Sequence, residues 1–318
     1  MSRRRSKKAG VSAIGILIVL AGLIAAALHW ETWEDLIPKE ASVDFPGLSG
    51  KAQVYFLDVG QGDSELIRLP GEDGDSFDIL IDAGTRSTKT ELSDVLKELG
   101  VEDIEVMIGT HPHEDHIGGM AQILNDFPVD VLYLPQTSDS MTPTTKTYES
   151  LLDAAEENNV PIKAGKAGEK ILEKDDVTFT ILSPSHEEYS NLNDYSIVTR
   201  LTVGETAFLF QGDAEADVEE EILSNGYDLS CDVIKLGHHG SSTSSSKAYI
   251  EAASPSAAVI SCGEGNEYGH PHEETLELLK EEGITVYRTD TQQTLLAETD
   301  GKKIQWTTGL ASPWKNAS

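Results

Sequence analysis

Ten consecutive residues, Thr110 to Gly119, constrain this chain more than any others. They read Thr-His-Pro-His-Glu-Asp-His-Ile-Gly-Gly, and three of the nine histidines fall within six of those positions. An apolar run, Ile104 to Gly109, leads directly into them. Imidazole nitrogens and carboxylate oxygens are borderline ligands that suit zinc, manganese or iron(II). His111 and His113 stand two apart, so an extended backbone points both the same way. Asp115 and His116 follow in a turn and face a second point close by. Gly118 and Gly119 let the backbone turn tightly into the next element. The fold therefore has to end a strand where metal ligands gather.

The chain has 318 residues, room for one large domain or two small ones, and 39% are hydrophobic, enough for a core. Its first 30 residues read separately. Arg3-Arg4-Arg5 and Lys7-Lys8 precede an uncharged apolar stretch, Val11 to Leu28. That length matches the roughly 17–25 residues of a membrane-spanning helix and exceeds a signal-peptide core of about 7–15. The basic flank is expected to stay inside the cell, and Trp30 and Trp33 stand where an interfacial aromatic belt would lie. The expectation is a single-pass signal anchor with the remainder extracytoplasmic; secretion after cleavage is the alternative. The resulting layout is a basic flank (1–10), an anchor (11–28), a linker (29–50), a domain (51–310) and a tail (311–318).

All 55 acidic residues and 19 of the 24 basic ones lie beyond residue 30, so that part carries −36. Such a surface repels polyanions at long range. Cys231 and Cys262 are the only cysteines, both in apolar, strand-like runs without CxxC spacing, and they read as two buried free thiols.

Strand and helix signals alternate from Lys51 onward. Strands are expected at 52–59, 64–69, 78–82, 129–134, 177–182, 196–203, 207–210, 232–236, 257–261, 285–288, 294–297 and 303–307. Helices are expected at 91–99, 120–127, 144–158, 215–224, 247–253 and 273–282. Two strand-rich halves with helices between them fit two sheets flanked by outer helices, an arrangement that strand counting does not single out among α/β layouts.

Thr110–Gly119 resembles the HxHxDH signature of the metallo-β-lactamase superfamily. The further strings DVGQGDS (58–64), HIGG (116–119), GDAE (212–215) and HHGSSTS (238–244) look like the extracellular metallo-β-lactamase domain of ComEC-type competence proteins, over about Lys51 to Thr307. The resemblance implies an αββα sandwich holding two divalent metal ions, zinc or manganese. It implies that His111 and His113 serve one ion, that Asp115 and His116 serve the other, and that Asp213 bridges them. One of His238 and His239 completes the second set; the small hydroxyl residues that follow favour His239. Asp82 would orient a metal-bound histidine through its second ring nitrogen, and Asp58 or Asp63 would border the site. Asn193 stands at the spacing where the superfamily usually has a third histidine; His186 fits that spacing less well. An oxygen ligand there suits a harder ion such as manganese.

Asp115 is also a candidate proton acceptor, and His270 a candidate proton donor to the leaving group. The run from Ser241 to Ser246 reads either as a set of hydroxyls for phosphate oxygens or as a loop and helix cap. Lys235 and Arg288 are scarce cations placed to meet a phosphate. The activity expected is hydrolysis of a phosphodiester, either nucleic acid or a cell-envelope ester. The alternative is a non-catalytic accessory subunit of a DNA-uptake or envelope complex, with competence proteins as partners. With one candidate span, this chain is not expected to form a DNA channel alone.

Overall fold

The computed structural model describes residues 47–71 and 75–310. The apolar stretch 11–28 lies outside them, and among the described residues no helix is long and apolar enough to cross a membrane. From the first described strand the chain makes β1 (Ala52–Phe56), β2 (Glu65–Pro70), β3 (Ser76–Ile81), α1 (Lys89–Glu98), β4 (Val106–Ile108), α2 (Glu114–Ile117), α3 (Met120–Asp126), β5 (Leu132–Leu134), α4 (Lys146–Glu157) and β6 (Ile162–Ala164). It continues through β7 (Lys170–Lys174), β8 (Val177–Ser183), β9 (Val198–Val203), β10 (Thr206–Phe210), α5 (Ala216–Asn225), β11 (Val233–Lys235), α6 (Lys247–Ala253) and β12 (Ala257–Ile260). The last elements are α7 (Glu273–Glu281), β13 (Thr285–Arg288), α8 (Thr289–Gln292), β14 (Thr294–Thr299) and β15 (Ile304–Leu310).

Two sheets result. One has eight strands in the order β15-β14-β1-β2-β3-β4-β5-β6; the other has seven, β13-β12-β11-β10-β9-β8-β7. In the first, β3 to β6 run parallel; in the second, β10 to β13 do. Strand alternation sorts the side chains into three apolar layers. In β1, Val54 and Phe56 face the other sheet, where they meet Phe208, Phe210 and Val259. Tyr55 and Leu57 face outward against Leu92 and Leu96 of α1 and Ile123 of α3. Leu209 and Ile234 pack outward against Val218 and Ile222 of α5 and Tyr249 of α6. Helices thus cover both outer faces, giving an αββα sandwich.

One helix start follows ordinary capping chemistry: at α4 the Thr145 hydroxyl accepts from the Tyr148 N–H. Elsewhere the structure departs from the expected devices. Gly118 and Gly119 both have ordinary negative φ. Gly119 is small because a Cβ there would lie 2.3 Å from the Ala83 carbonyl oxygen, so close approach, not turn geometry, is the constraint. The serine run does not cap α6 with a side chain either. The carboxylate of Glu219, fully buried, accepts from the N–H groups of Ser245 and Ser246 and from Gln211 Nε2.

Candidate metal centre

The parallel strands of both sheets end on one edge of the sandwich, the place where open α/β sheets characteristically bind ligands. Asp82 follows β3, Thr110 to His116 follow β4, Asp213 follows β10, and His238 and His239 follow β11. The loop from Asp58 to Asp63, after β1, closes under them. It fits because Gly62 (φ +148°) has no Cβ; one would lie 2.3 Å from the Asp115 carbonyl oxygen. The Asp63 N–H donates to that same carbonyl (3.1 Å).

Asp213 Oδ2 is the hub. Nε2 atoms of His116, His111, His239 and His238 lie 3.3, 3.7, 3.7 and 3.9 Å from it. Its other oxygen, Oδ1, is buried and without a hydrogen-bond partner, as is His116 Nε2. His111 Nε2 also meets His113 Nδ1 at 3.0 Å. On the other side, Asp115 Oδ2 lies 3.2 Å from His239 Nε2 and 4.0 Å from His116 Nε2.

The far nitrogens of three rings are fixed from behind, and their partners assign the tautomers. His239 Nδ1 faces the Ser261 carbonyl at 3.0 Å, an acceptor only, so Nδ1 carries the hydrogen. His116 Nδ1 donates to Asp82 Oδ2 (2.7 Å). The Thr110 hydroxyl donates to the same Asp82 oxygen (2.7 Å) and so accepts from His111 Nδ1 (3.2 Å). All three rings then present an Nε2 lone pair to the centre. Asp82 sits at φ +56°, a strained conformation for a residue with a side chain. His238 and His239 are both left-handed as well.

Charge settles what belongs there. Burial pushes His111 well below the usual imidazole range, and the neighbouring His116 ring pushes it further. Burial opposes charging of His116 and His239 too, but the surrounding carboxylates win. Asp213, Asp82 and Asp115 lift His116 well above its ordinary value, and Asp213 with Asp63 lifts His239 to about 10. Burial would raise Asp213, yet His116 and His239 hold it well below the carboxylate range. Groups with such a field call for cations, whether protons or metal ions. Inward lone pairs, buried carboxylate oxygens without partners and locked tautomers fit a divalent ion.

Asn193 is set the same way: its Nδ2 donates to Glu215 Oε1 (3.2 Å), leaving its buried Oδ1 without a partner. Glu215 also lies 3.2 Å from His238 Nδ1. His238 is more exposed than His239 and stands in the wall of the cavity over the centre. That cavity, of about 550 Å³, is also lined by Asp115, Asn193, Asp213, Tyr268 and His270. His270 Nδ1 is buried without a partner, and burial next to His239 and His238 lowers its pKa to about 4.

Of the other expected residues, Asp63 borders the centre as expected and the rest serve the loops or lie apart. Asp58 Oδ1 accepts from the Gly60 N–H and shapes the loop. Asp63 lies beneath the centre, 3.2 Å from His239 Nδ1. Lys235 is not a phosphate-binding cation: it is buried, with Nζ 2.5 Å from Asp63 Oδ2. Arg288 is paired with both oxygens of Asp290. The Ser241 hydroxyl is buried and bonds with Thr243 (3.1 Å), while Ser244 donates to the Ala214 carbonyl, so this run knits the loop instead of facing a substrate. His186 lines a separate cavity of about 770 Å³ and pairs with Glu221. Cys231 and Cys262 are buried and unpaired. Glu215 and Thr110 went unassigned in the sequence reading, although both lie within the conspicuous strings.

Residues 57–264 match the profile of the metallo-beta-lactamase superfamily. Among curated proteins, the chain is similar to ComE operon protein 3 of Bacillus subtilis (strain 168), with 33% identity over 267 residues, 79% of this chain and 33% of that protein. It is also similar to Competence protein ComA of Neisseria gonorrhoeae, with 32% identity over 242 residues, 76% of this chain and 31% of that protein. The chain thus spans about a third of the length of these relatives. Among solved structures, a mutant of CmlA beta-hydroxylase aligns with a TM-score of 0.50 at 11% identity, over 78% of this chain and 54% of that one, a likeness of fold alone.

Proposed function

The chain belongs to the metallo-β-lactamase superfamily, and from that premise we propose that it is a metal-dependent hydrolase of phosphodiesters. The observation that carries this reading is Asp213 Oδ2 among four imidazole Nε2 atoms. His111, His113, Asn193 and Asp213 would hold one divalent ion; Asp115, His116, His239 and the shared Asp213 would hold a second. Bound there, such ions supply Lewis acidity toward the scissile ester and acidify water at neutral pH.

The chain's own groups do the rest. Asp115 is held well below the carboxylate range by His116 and His239 against its burial, so it stays ionised; it is the candidate acceptor toward the attacking water, which it would orient by accepting its hydrogen bond. His238, with Nδ1 turned to Glu215, keeps its ring in the wall of the cavity with Nε2 toward Asp213, where it bounds the space left for the phosphoryl group. His270 is neutral at pH 7 and offers a hydrogen bond to the leaving oxygen; an anionic phosphoryl group beside it raises its pKa.

The name of the Neisseria relative, a competence protein, favours nucleic acid as the diester, with cell-envelope esters as the rival class. Residues 11–28 would anchor the protein in the membrane, with the hydrolase domain extracytoplasmic and competence proteins as neighbours; protease accessibility on intact cells reads that orientation. The activity test loads the full chain with manganese or zinc and offers bis-p-nitrophenyl phosphate and single-stranded DNA side by side, with Asp213→Ala as control. Metal-dependent turnover lost in the variant is the expected result. Bound metal without turnover on either substrate overturns the phosphodiester assignment. Absence of bound metal overturns catalysis and leaves the accessory role in a DNA-uptake complex.

A further inference from the structure

Only two large apolar side chains among the described residues stand well exposed, and one is Tyr268, at 68%. It lines the mouth of the cavity over the metal centre. Its ring lies nearly parallel to that of His270, with 20° between planes and 5.6 Å between centroids, an offset stack. The other exposed residue, Ile162, belongs to β6 at a sheet edge and touches no part of the site.

The loop that carries Tyr268 is held firmly. The Gly263 N–H donates to Gln61 Oε1 (3.0 Å), tying it to the loop under the metal centre. Asn266 brackets His270: its Oδ1 accepts from the His270 N–H (2.9 Å) and its Nδ2 donates to the His270 carbonyl (2.7 Å). The Ser242 N–H donates to His272 Nδ1 (3.0 Å), which leaves the hydrogen on Nε2, directed at the Tyr268 carbonyl (3.4 Å). An aromatic ring fixed in water beside a cavity has lost its conformational freedom before any ligand arrives. That is the preorganisation which favours stacking.

The protein's charge sharpens the point. With −31 overall and exposed Glu264 and Glu267 on the same loop, it has little long-range attraction for a phosphate chain. Stacking depends on the face of a ring and not on charge, and it is tolerant of base identity.

We propose that Tyr268, stacked on His270 at the cavity mouth, is a platform for a planar aromatic ring that the substrate carries next to its scissile ester. This rests on the phosphodiesterase reading and narrows its substrates to diesters with such a ring, a nucleobase or another aryl group.

The test uses the full chain loaded with manganese and compares wild type with Tyr268→Ala and Tyr268→Trp. Isothermal titration measures thymidine 5′-monophosphate, phenyl phosphate and inorganic phosphate. Hydrolysis compares thymidine 5′-p-nitrophenyl phosphate with methyl p-nitrophenyl phosphate, which share the p-nitrophenyl leaving group and differ only in whether the retained alcohol carries a ring, so a platform on the retained side moves their ratio and one on the leaving side does not. Tyr268→Ala is expected to lower the preference for thymidine monophosphate over phosphate about tenfold, and the thymidine-to-methyl ratio of kcat/KM alike. Tyr268→Trp is expected to restore both ratios. Preference for thymidine monophosphate over phenyl phosphate identifies a nucleobase; equal preference identifies an aryl group generally. Ratios unchanged in Tyr268→Ala, or no preference of the wild type for a ring over phosphate, overturn the platform. If neither ester is hydrolysed while the binding ratio falls as expected, the hydrolase reading fails and the platform stands.

Discussion

One carboxylate, Asp82, governs which nitrogen two neighbouring rings offer to the centre. It takes the Nδ1 hydrogen of His116 directly and that of His111 through the Thr110 hydroxyl. Asp82→Ala is therefore expected to weaken metal affinity by about 10–100-fold, read by competition with a chelating dye while circular dichroism stays unchanged. Lys235 acts a layer deeper, as counter-ion to Asp63, and both are buried. Removing one partner of such a pair leaves a charge stranded, so Lys235→Met should cost about 3–5 kcal/mol in urea unfolding, most of it recovered in Lys235→Met/Asp63→Leu. Protons compete with metal at the same rings. His239 is raised from 6.5 to about 10, and His116 shifts in the same direction. Their contribution to stability is complete below the unfolded value of 6.5 and fades as pH climbs through the folded one. The depressed Asp213 and Asp115 contribute above the ordinary carboxylate range and lose their share only as pH falls through their folded values. With EDTA present, the urea midpoint should therefore decline between pH 6.5 and about 10, while metal affinity increases over the same window. A midpoint that climbed with pH in EDTA would contradict this balance. The ligand-type residues were legible because they cluster in sequence. Glu215 and Lys235 gained their roles only when loops far apart in the chain met: no spacing reveals that Lys235 will face Asp63.

The site is built by loops at strand ends, and their close approach is where the elements tolerate least change. Gly62 both holds a positive φ and touches the Asp115 carbonyl. Gly62→Ala has to push the α2 start away, at about 1–3 kcal/mol in thermal unfolding, and with it should come a loss of bound metal on dialysis. Most strands were readable as apolar runs because both faces of the two sheets are covered. β6 and β7 were not. Each is an edge strand at one side of its sheet, all exposed in Ile162–Ala164 and largely polar in Lys170–Lys174, which is how edges avoid pairing with other chains. The expected strand 129–134 shrank to β5, with Val129 reduced to a bridge with Ile104. Four-residue helices such as α2 and α8 carry too few turns for periodicity to register.

At the scale of the molecule, the described residues belong to one compact unit. A fragment from Gly47 to Leu310 should accordingly unfold in a single cooperative step and bind metal as the full chain does; a broad, non-cooperative transition would count against this. Both sheets contribute to the centre, the first through Asp82 and Thr110 to His116, the second through Asp213, His238 and His239. The first sheet is not built from a continuous stretch of chain, because β14 returns from beyond β13 to pair Val54 with Ala297. During translation, β1 therefore leaves the ribosome well before its partner and keeps an unpaired edge until Thr294–Thr299 has been made. That edge stays open while residues 57–293 are made, and the β14–β15 hairpin acts as the clasp that ends the exposure.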